Sequence, residues 1–228
     1  MNIHIFYRHY NVTTHKDHCR PEGFSYEKCF NNLLKTIENH PNIKLTVMMD
    51  GTKEGTFLEN YTGDIYEFKG GSDTASFFTT LDHIKNKDLK ENDLIYLLEN
   101  DYLHVDNWVE KVIDLFSTFQ GLNYVSLYDH NDKYFLPMYD NLTSKIFASN
   151  KHHWRTTPST CGSFIISKQM LEADYDILST MVGDHNKFLH LNQTRSRFVL
   201  TPIPGLSTHC MNGLLSPTID WNQIIEKA

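Results

Sequence analysis

Five consecutive apolar residues, Leu94 to Leu98, run directly into Glu99, Asn100 and Asp101 in the segment LIYLLENDYLHVDNWVEKVI. A short, uninterrupted apolar run of this kind is the pattern of a strand buried on both faces. Such strands belong to sheets covered by helices, so the segment constrains the chain to an α/β architecture with polar groups delivered at a strand end. Carboxylate oxygens fixed there are natural ligands for Mg²⁺ or Mn²⁺.

The flanking sequence supplies the helices and the other strands. Asn2–Tyr7 reads as a first strand. Ser25–Asn39 reads as a helix with Ser25 as N-cap and Phe30, Leu33, Leu34 and Ile37 on one face, stopped by Pro41. Ile43–Met49 is a second strand ending at Asp50-Gly51. Asp64–Phe68 is a third, ending in Gly70-Gly71-Ser72-Asp73, and helices follow at Thr74–Lys85 and Asn107–Phe119. This β-α-β-β-α-β-α order predicts a single α/β domain with a mostly parallel, Rossmann-like central sheet flanked by helices, and ligands beyond the carboxyl ends of its strands. Residues 121–228 are less regular. Short strands are expected at Tyr124–Leu127, Tyr134–Pro137, Ser163–Ser167 and Val199–Ile203, and helices at Gln169–Tyr175, His185–Leu191 and Asp220–Glu226. The expected division is a nucleotide-binding half, 1–120, and an acceptor-binding and catalytic half, 121–228.

At 228 residues the chain is long enough for one sizeable core. A formal net charge of -7 argues against a nucleic-acid partner, which would need clustered Lys and Arg. No apolar run approaches the roughly 20 residues that span a bilayer. The start of the chain lacks a signal-sequence pattern, so a cytoplasmic location is expected. The four cysteines, Cys19, Cys29, Cys161 and Cys210, form no C-x-x-C pair. A zinc site built from His15, His18 and Cys19 with His209 and Cys210 fits no familiar four-ligand spacing.

The element order and the ENDY motif at Glu99–Tyr102 together resemble the GT-A class of glycosyltransferases, in particular family 2-like enzymes that use nucleotide-sugar donors. ENDY stands where that family has its Asp-x-Asp metal motif, with Glu in the first place. The resemblance implies an Mn²⁺ or Mg²⁺ ion held by Asp101 or Glu99, with Asn100 beside the nucleotide and His209, in TPIPGLSTHC, completing the metal or diphosphate site. Tyr7, Arg8 and Asp50 would surround base and ribose, and Gly71, Ser72 and Asp73 would lie near ribose or diphosphate. Asp184, in VGDHNKFLHL, stands about where inverting members carry their catalytic base, although Gly183 replaces the usual preceding Glu. It reads equally as a helix N-cap.

His153, Trp154 and Arg155 are expected to contact acceptor or donor sugar, because an exposed indole stacks on sugar rings and Arg binds phosphate or hydroxyls; a Trp anchoring a loop on the core is the competing reading. The expected function is metal-dependent transfer of a sugar from a UDP-sugar to a hydroxyl of a glycan or other acceptor. Two alternatives stand beside it. One is a non-catalytic carbohydrate-binding scaffold. The other is a sugar nucleotidyltransferase, against which the glycine-free segment FYRHYNVTTHKDHCR counts, since a triphosphate-binding loop there would be Gly-rich and basic.

Overall fold

The structure, a computed structural model, describes residues 1–10 and 19–228. His15 and His18, and with them most of the glycine-free segment, lie outside the described residues. In chain order the elements are β1 (Ile3–Tyr10), α1 (Tyr26–Ile37), β2 (Ile43–Asp50), β3 (Asp64–Phe68), α2 (Asp73–Lys85), β4 (Leu94–Glu99), β5 (Tyr102–His104), α3 (Trp108–Thr118) and β6 (Tyr124–Val125). They continue with β7 (Ile146–Ala148), β8 (His153–Thr157), β9 (Phe164–Ser167), α4 (Lys168–Leu178), α5 (Asp184–Arg195), β10 (Val199–Ile203), β11 (Ser207–His209) and α6 (Trp221–Lys227).

Nine strands form one sheet in the order β3-β2-β1-β4-β9-β6-β10-β8-β7. Only β9 and β8 run against the others, so the sheet is mostly parallel. Strand alternation divides the core. Ile3, Ile5 and Tyr7 of β1, with Leu94, Tyr96 and Leu98 of β4, pack against Phe30 and Leu33 of α1 and Trp108, Val109, Val112 and Leu115 of α3. Phe6, Ile95 and Leu97 face the other way, against Phe77, Leu81 and Ile84 of α2, Leu171 of α4 and Phe188 of α5. The apolar run in β4 is therefore explained by helices on both faces.

The same parity places the polar ends. β1 pairs with β4 in a register that sets Arg8 opposite Glu99. Both follow the Phe6 and Leu97 side, toward the start of α2. A second, two-stranded ladder joins β5 to β11 antiparallel, with His209 opposite Tyr102. It brings a residue from near the chain end alongside the ENDY motif.

Several sequence expectations are corrected here. Tyr134–Pro137 is no strand: two 3₁₀ turns, Asn131–Tyr134 and Pro137–Tyr139, occupy this stretch, and Pro137 lacks the N–H a ladder needs. β5, β7, β8 and β11 lie in stretches without a clear period-2 pattern. No helix among the described residues is long and apolar enough to cross a membrane.

Because Leu97 is fully buried in the strand that carries the site, Leu97→Ala is expected to destabilise the fold by about 3 kcal/mol. Urea unfolding should show a lower midpoint with an unchanged slope.

Candidate nucleotide site

At the carboxyl ends of β1, β2 and β4 lies a cavity of about 410 Å³, lined by Arg8, Tyr10, Arg20, Tyr26, Asp50, Gly71, Ser72, Asp73, Ser76, Glu99, Asn100, Asp101 and His209. The residues expected around a nucleotide thus converge, apart from Tyr7. That side chain is buried at 1% exposure beneath the cavity, where its hydroxyl donates to the Asn100 carbonyl at 3.1 Å. Tyr7 supports the floor and does not reach the base or ribose of a ligand in the cavity.

One wall is a loop clamp. Both Asp50 oxygens accept backbone hydrogen bonds, from Gly70 N and Gly71 N, each at 2.8 Å. Gly71 has a φ of +75°, a conformation that only glycine adopts without strain. Ser72 then caps α2, its hydroxyl accepting from Ala75 N at 3.2 Å. Asp50 is largely committed to holding this loop, and the first turn of α2 faces the cavity.

The second wall is an ion network. Arg8 reaches Asp73 Oδ1 through Nη1 and Glu99 Oε1 through Nη2, each at 3.1 Å. Ser163 Oγ donates to Glu99 Oε2 at 2.9 Å. Gly162 passes so close that an added Cβ would lie 2.7 Å from Arg8 Nη2, so a larger residue there would displace the guanidinium. Burial pushes the Glu99 carboxyl up to about 7, against the opposing pull of Arg8. Glu99 is therefore engaged by protein partners.

Asp101 is the centre of the third wall. Its Oδ2 lies 2.9 Å from His209 Nε2 and 2.9 Å from Arg20 Nη1. Burial works to raise its pKa, but His209 and then Arg20 prevail and hold it at about 2. His209 lies parallel to the Tyr102 ring at 5.3 Å. Burial lowers its pKa, but Asp101 and Glu99 outweigh this and raise it. Asn100 Nδ2 lies 2.9 Å from His9 Nδ1.

A divalent cation was expected among these groups. Among the described residues no cluster of three or more His, Cys, Asp or Glu forms a closed protein cage. The donor chemistry at Asp101 and His209 nevertheless fits such an ion, because Mg²⁺ and Mn²⁺ commonly take one or two protein donors and complete their shell with phosphate oxygens and water. The charge around the cavity fits as well: four carboxyl groups face it against two guanidiniums and one imidazole. With the Glu99 pKa raised to about 7 and that of His209 raised as well, the lining is close to charge balance, so a diphosphate entering there meets little net positive charge unless a further cation accompanies it.

Asp184 is the first residue of α5, after N-cap Gly183, so it is not the N-cap itself. Its carboxylate faces Lys187 Nζ at 3.5 Å. With Arg8, Asp73 and Gly162 it lines a narrow recess, and Arg8 and Asp73 belong also to the main cavity. Burial raises the Asp184 pKa, opposed by Lys187 and Arg8.

The expected sugar-contacting group separates. Trp154 is fully buried and donates from Nε1 to Ser149 Oγ at 3.3 Å, so it cannot stack on a sugar. The Arg155 guanidinium is buried against Asp129 Oδ1 at 2.8 Å. Only His153 remains exposed, and none of the three lines the cavity.

Sequence reasoning missed Arg20, Ser163 and Gly162. Arg20 sits in a stretch with no strand or helix period, and nothing in the sequence links it to Asp101.

No family model matches the sequence, and no curated protein matches it. The fold has solved counterparts. One is CMP:2-keto-3-deoxy-manno-octonic acid synthetase complexed with CTP, with a TM-score of 0.56 at 10% identity over 90% of this chain and 92% of that one. Another is 4-diphosphocytidyl-2C-methyl-D-erythritol synthase from Anaerococcus prevotii, with a TM-score of 0.52 at 13% identity over 99% and 93%. S. aureus TarS 1-349 gives 0.48 at 11% identity over 88% and 58%, too low a score to argue from. At these identities the likeness is one of fold alone: an α/β domain with its mostly parallel central sheet between helices.

The Asp50 clamp generates a direct expectation. Asp50→Ala removes the acceptor of two loop N–H groups and should cost about 1–3 kcal/mol. Limited proteolysis should show faster cleavage between residues 69 and 73 than in the unsubstituted protein.

Proposed function

We propose that the chain is a nucleotide-sugar-dependent glycosyltransferase of the GT-A type, transferring a sugar from a UDP-sugar to a hydroxyl acceptor. The observation that carries this reading is the pairing of Asp101 with His209 in a cavity at the carboxyl ends of parallel strands, beside the clamped loop and the start of α2. Topology alone does not select an activity.

In this reading the cavity takes the nucleoside diphosphate. Asn100, Asp50 and the backbone around Gly71–Asp73 bound the nucleoside, and Arg8 and Arg20 supply cationic donors toward phosphate. Asp101 and His209 would hold the divalent ion, which as a Lewis acid stabilises the charge that develops on the leaving diphosphate. Asp184, across the shared Arg8–Asp73 edge, is assigned as base. Its carboxylate accepts the acceptor hydroxyl proton as the acceptor oxygen bonds to the anomeric carbon and the bond from that carbon to the diphosphate oxygen breaks. Burial favours this role, because a raised pKa makes the carboxylate a better proton acceptor. Direct displacement of this kind inverts the anomeric centre.

A sugar nucleotidyltransferase is the second reading, favoured by the likeness of fold to two such enzymes. It predicts a different reaction, consumption of a nucleoside triphosphate with release of pyrophosphate.

The test is calorimetric titration with UDP and GDP, with Mn²⁺ and with EDTA, followed by assays for pyrophosphate release from CTP or UTP and for UDP release from UDP-sugars. UDP binding that depends on Mn²⁺, without pyrophosphate release, is the expected outcome; pyrophosphate release would transfer the assignment to the second reading. Failure of every nucleotide to bind would leave the fold as a scaffold. Asp101→Ala should abolish Mn²⁺-supported UDP binding while the thermal melt stays cooperative. Asp184→Asn should keep UDP affinity and lower transfer by roughly 10²–10⁴-fold; unchanged turnover would remove Asp184 as base.

A further inference from the structure

Arg20 has an unusual position for a structural arginine. It is 8% exposed, and its guanidinium lies 4.7 Å from the Phe24 ring centroid and 5.8 Å from that of Tyr26. One nitrogen, Nη1, serves two acceptors, Asp101 Oδ2 at 2.9 Å and the Cys210 carbonyl at 2.8 Å. The rest of the fork is poorly used: Nη2 has a 3.5 Å contact with the Tyr26 hydroxyl, and among the described residues Nε is buried without a hydrogen bond. A guanidinium is at its best when both arms meet a pair of oxygens on one carboxylate or phosphate.

The oxygen that Arg20 holds is also the one that His209 holds. A single carboxylate cannot fully serve a guanidinium, an imidazole proton and a divalent ion together. An ion bound to Asp101 and His209 would place two positive charges beside Arg20 in a site of low effective dielectric. Arg20 then needs another anion. In this cavity the other carboxylates are already engaged, Glu99 and Asp73 by Arg8 and Asp50 by the loop N–H groups. The phosphates of a nucleotide are the partner with spare oxygens.

Resting on the transferase reading, we propose that Arg20 is an exchangeable counter-ion: it neutralises Asp101 in the free protein and passes to the nucleotide phosphates when a divalent cation takes its place on Asp101. The exchange makes metal and nucleotide bind cooperatively, and by linkage each raises the affinity of the other by the same factor. It also makes Arg20 a nucleotide-binding residue that no spacing with the ENDY motif reveals.

The test measures Mn²⁺ binding by the loss of the free-ion paramagnetic resonance signal, with and without UDP, in the full chain and in Arg20→Ala and Arg20→Lys. Arg20→Ala is expected to bind Mn²⁺ alone about tenfold more tightly, and the enhancement of UDP affinity by Mn²⁺ should shrink by a similar factor. Arg20→Lys keeps the charge but not the fork, so its Mn²⁺ affinity should stay near that of the unsubstituted chain while UDP binding with Mn²⁺ weakens. It also serves if the alanine variant fails to melt cooperatively.

Equal or weaker Mn²⁺ binding in Arg20→Ala, or undiminished UDP binding in Arg20→Lys, would overturn the exchange and leave the transferase reading standing. If UDP binds but Mn²⁺ binds no form of the protein even with UDP present, the metal site falls and the exchange falls with it. If UDP itself binds under no condition, the transferase reading fails first.

Discussion

Arg8 and Glu99 lie side by side, in register, on the adjacent parallel strands β1 and β4. Their 3.1 Å contact ties strand pairing to site geometry. A slip of one residue in that register would turn one of the two side chains to the opposite face, away from the other and from the start of α2. The register is fixed by the apolar residues behind them, Phe6 and Leu97 on one face and Tyr7 and Leu98 on the other, all nearly or fully buried. Core packing thus decides which charges meet, and those charges shape the cavity.

The ion pair is costly on its own, since carboxylates and guanidiniums taken from water lose several kcal/mol of hydration each. Arg8 offsets this by meeting two carboxylates, and Glu99 by also accepting from Ser163. Asp101 follows the same logic with Arg20 and His209. The site is a chain of acids and bases in which few charges stand alone, and a ligand that enters must exchange partners with the protein rather than fill a vacant hole.

The frame of this arrangement was readable in the sequence because it rests on periodicity and local capping. The uninterrupted Leu94–Leu98 run, the Ser25 cap and the apolar face of α1 appear in the structure where those patterns put them. What was not readable depends on contacts between distant segments. Trp154 looks like a surface aromatic in its local sequence, yet β8 pairs with β7 and β10 and turns its indole into the core. Arg155 looks like an available cation, but a buried Asp129 awaits it. Tyr134 carries the side chain of a strand residue, while Pro137 and the backbone demands of its neighbours set a 3₁₀ path. Arg20 has no local signature at all.

The β5–β11 ladder carries Asp101 and His209 at its end yet stands apart from the nine-stranded sheet. It is tied back through a bridge between Tyr128 and Ser207 and backbone bonds from Leu206 and Ser207 to Leu127. The spacing between the carboxylate and the imidazole is accordingly set by a small ribbon rather than by the main core. Substitutions in the turn from Pro204 to Leu206 can retune that spacing while the large sheet keeps its stability. A lineage carrying this fold has a route to change the geometry at Asp101 and His209 that leaves its framework alone.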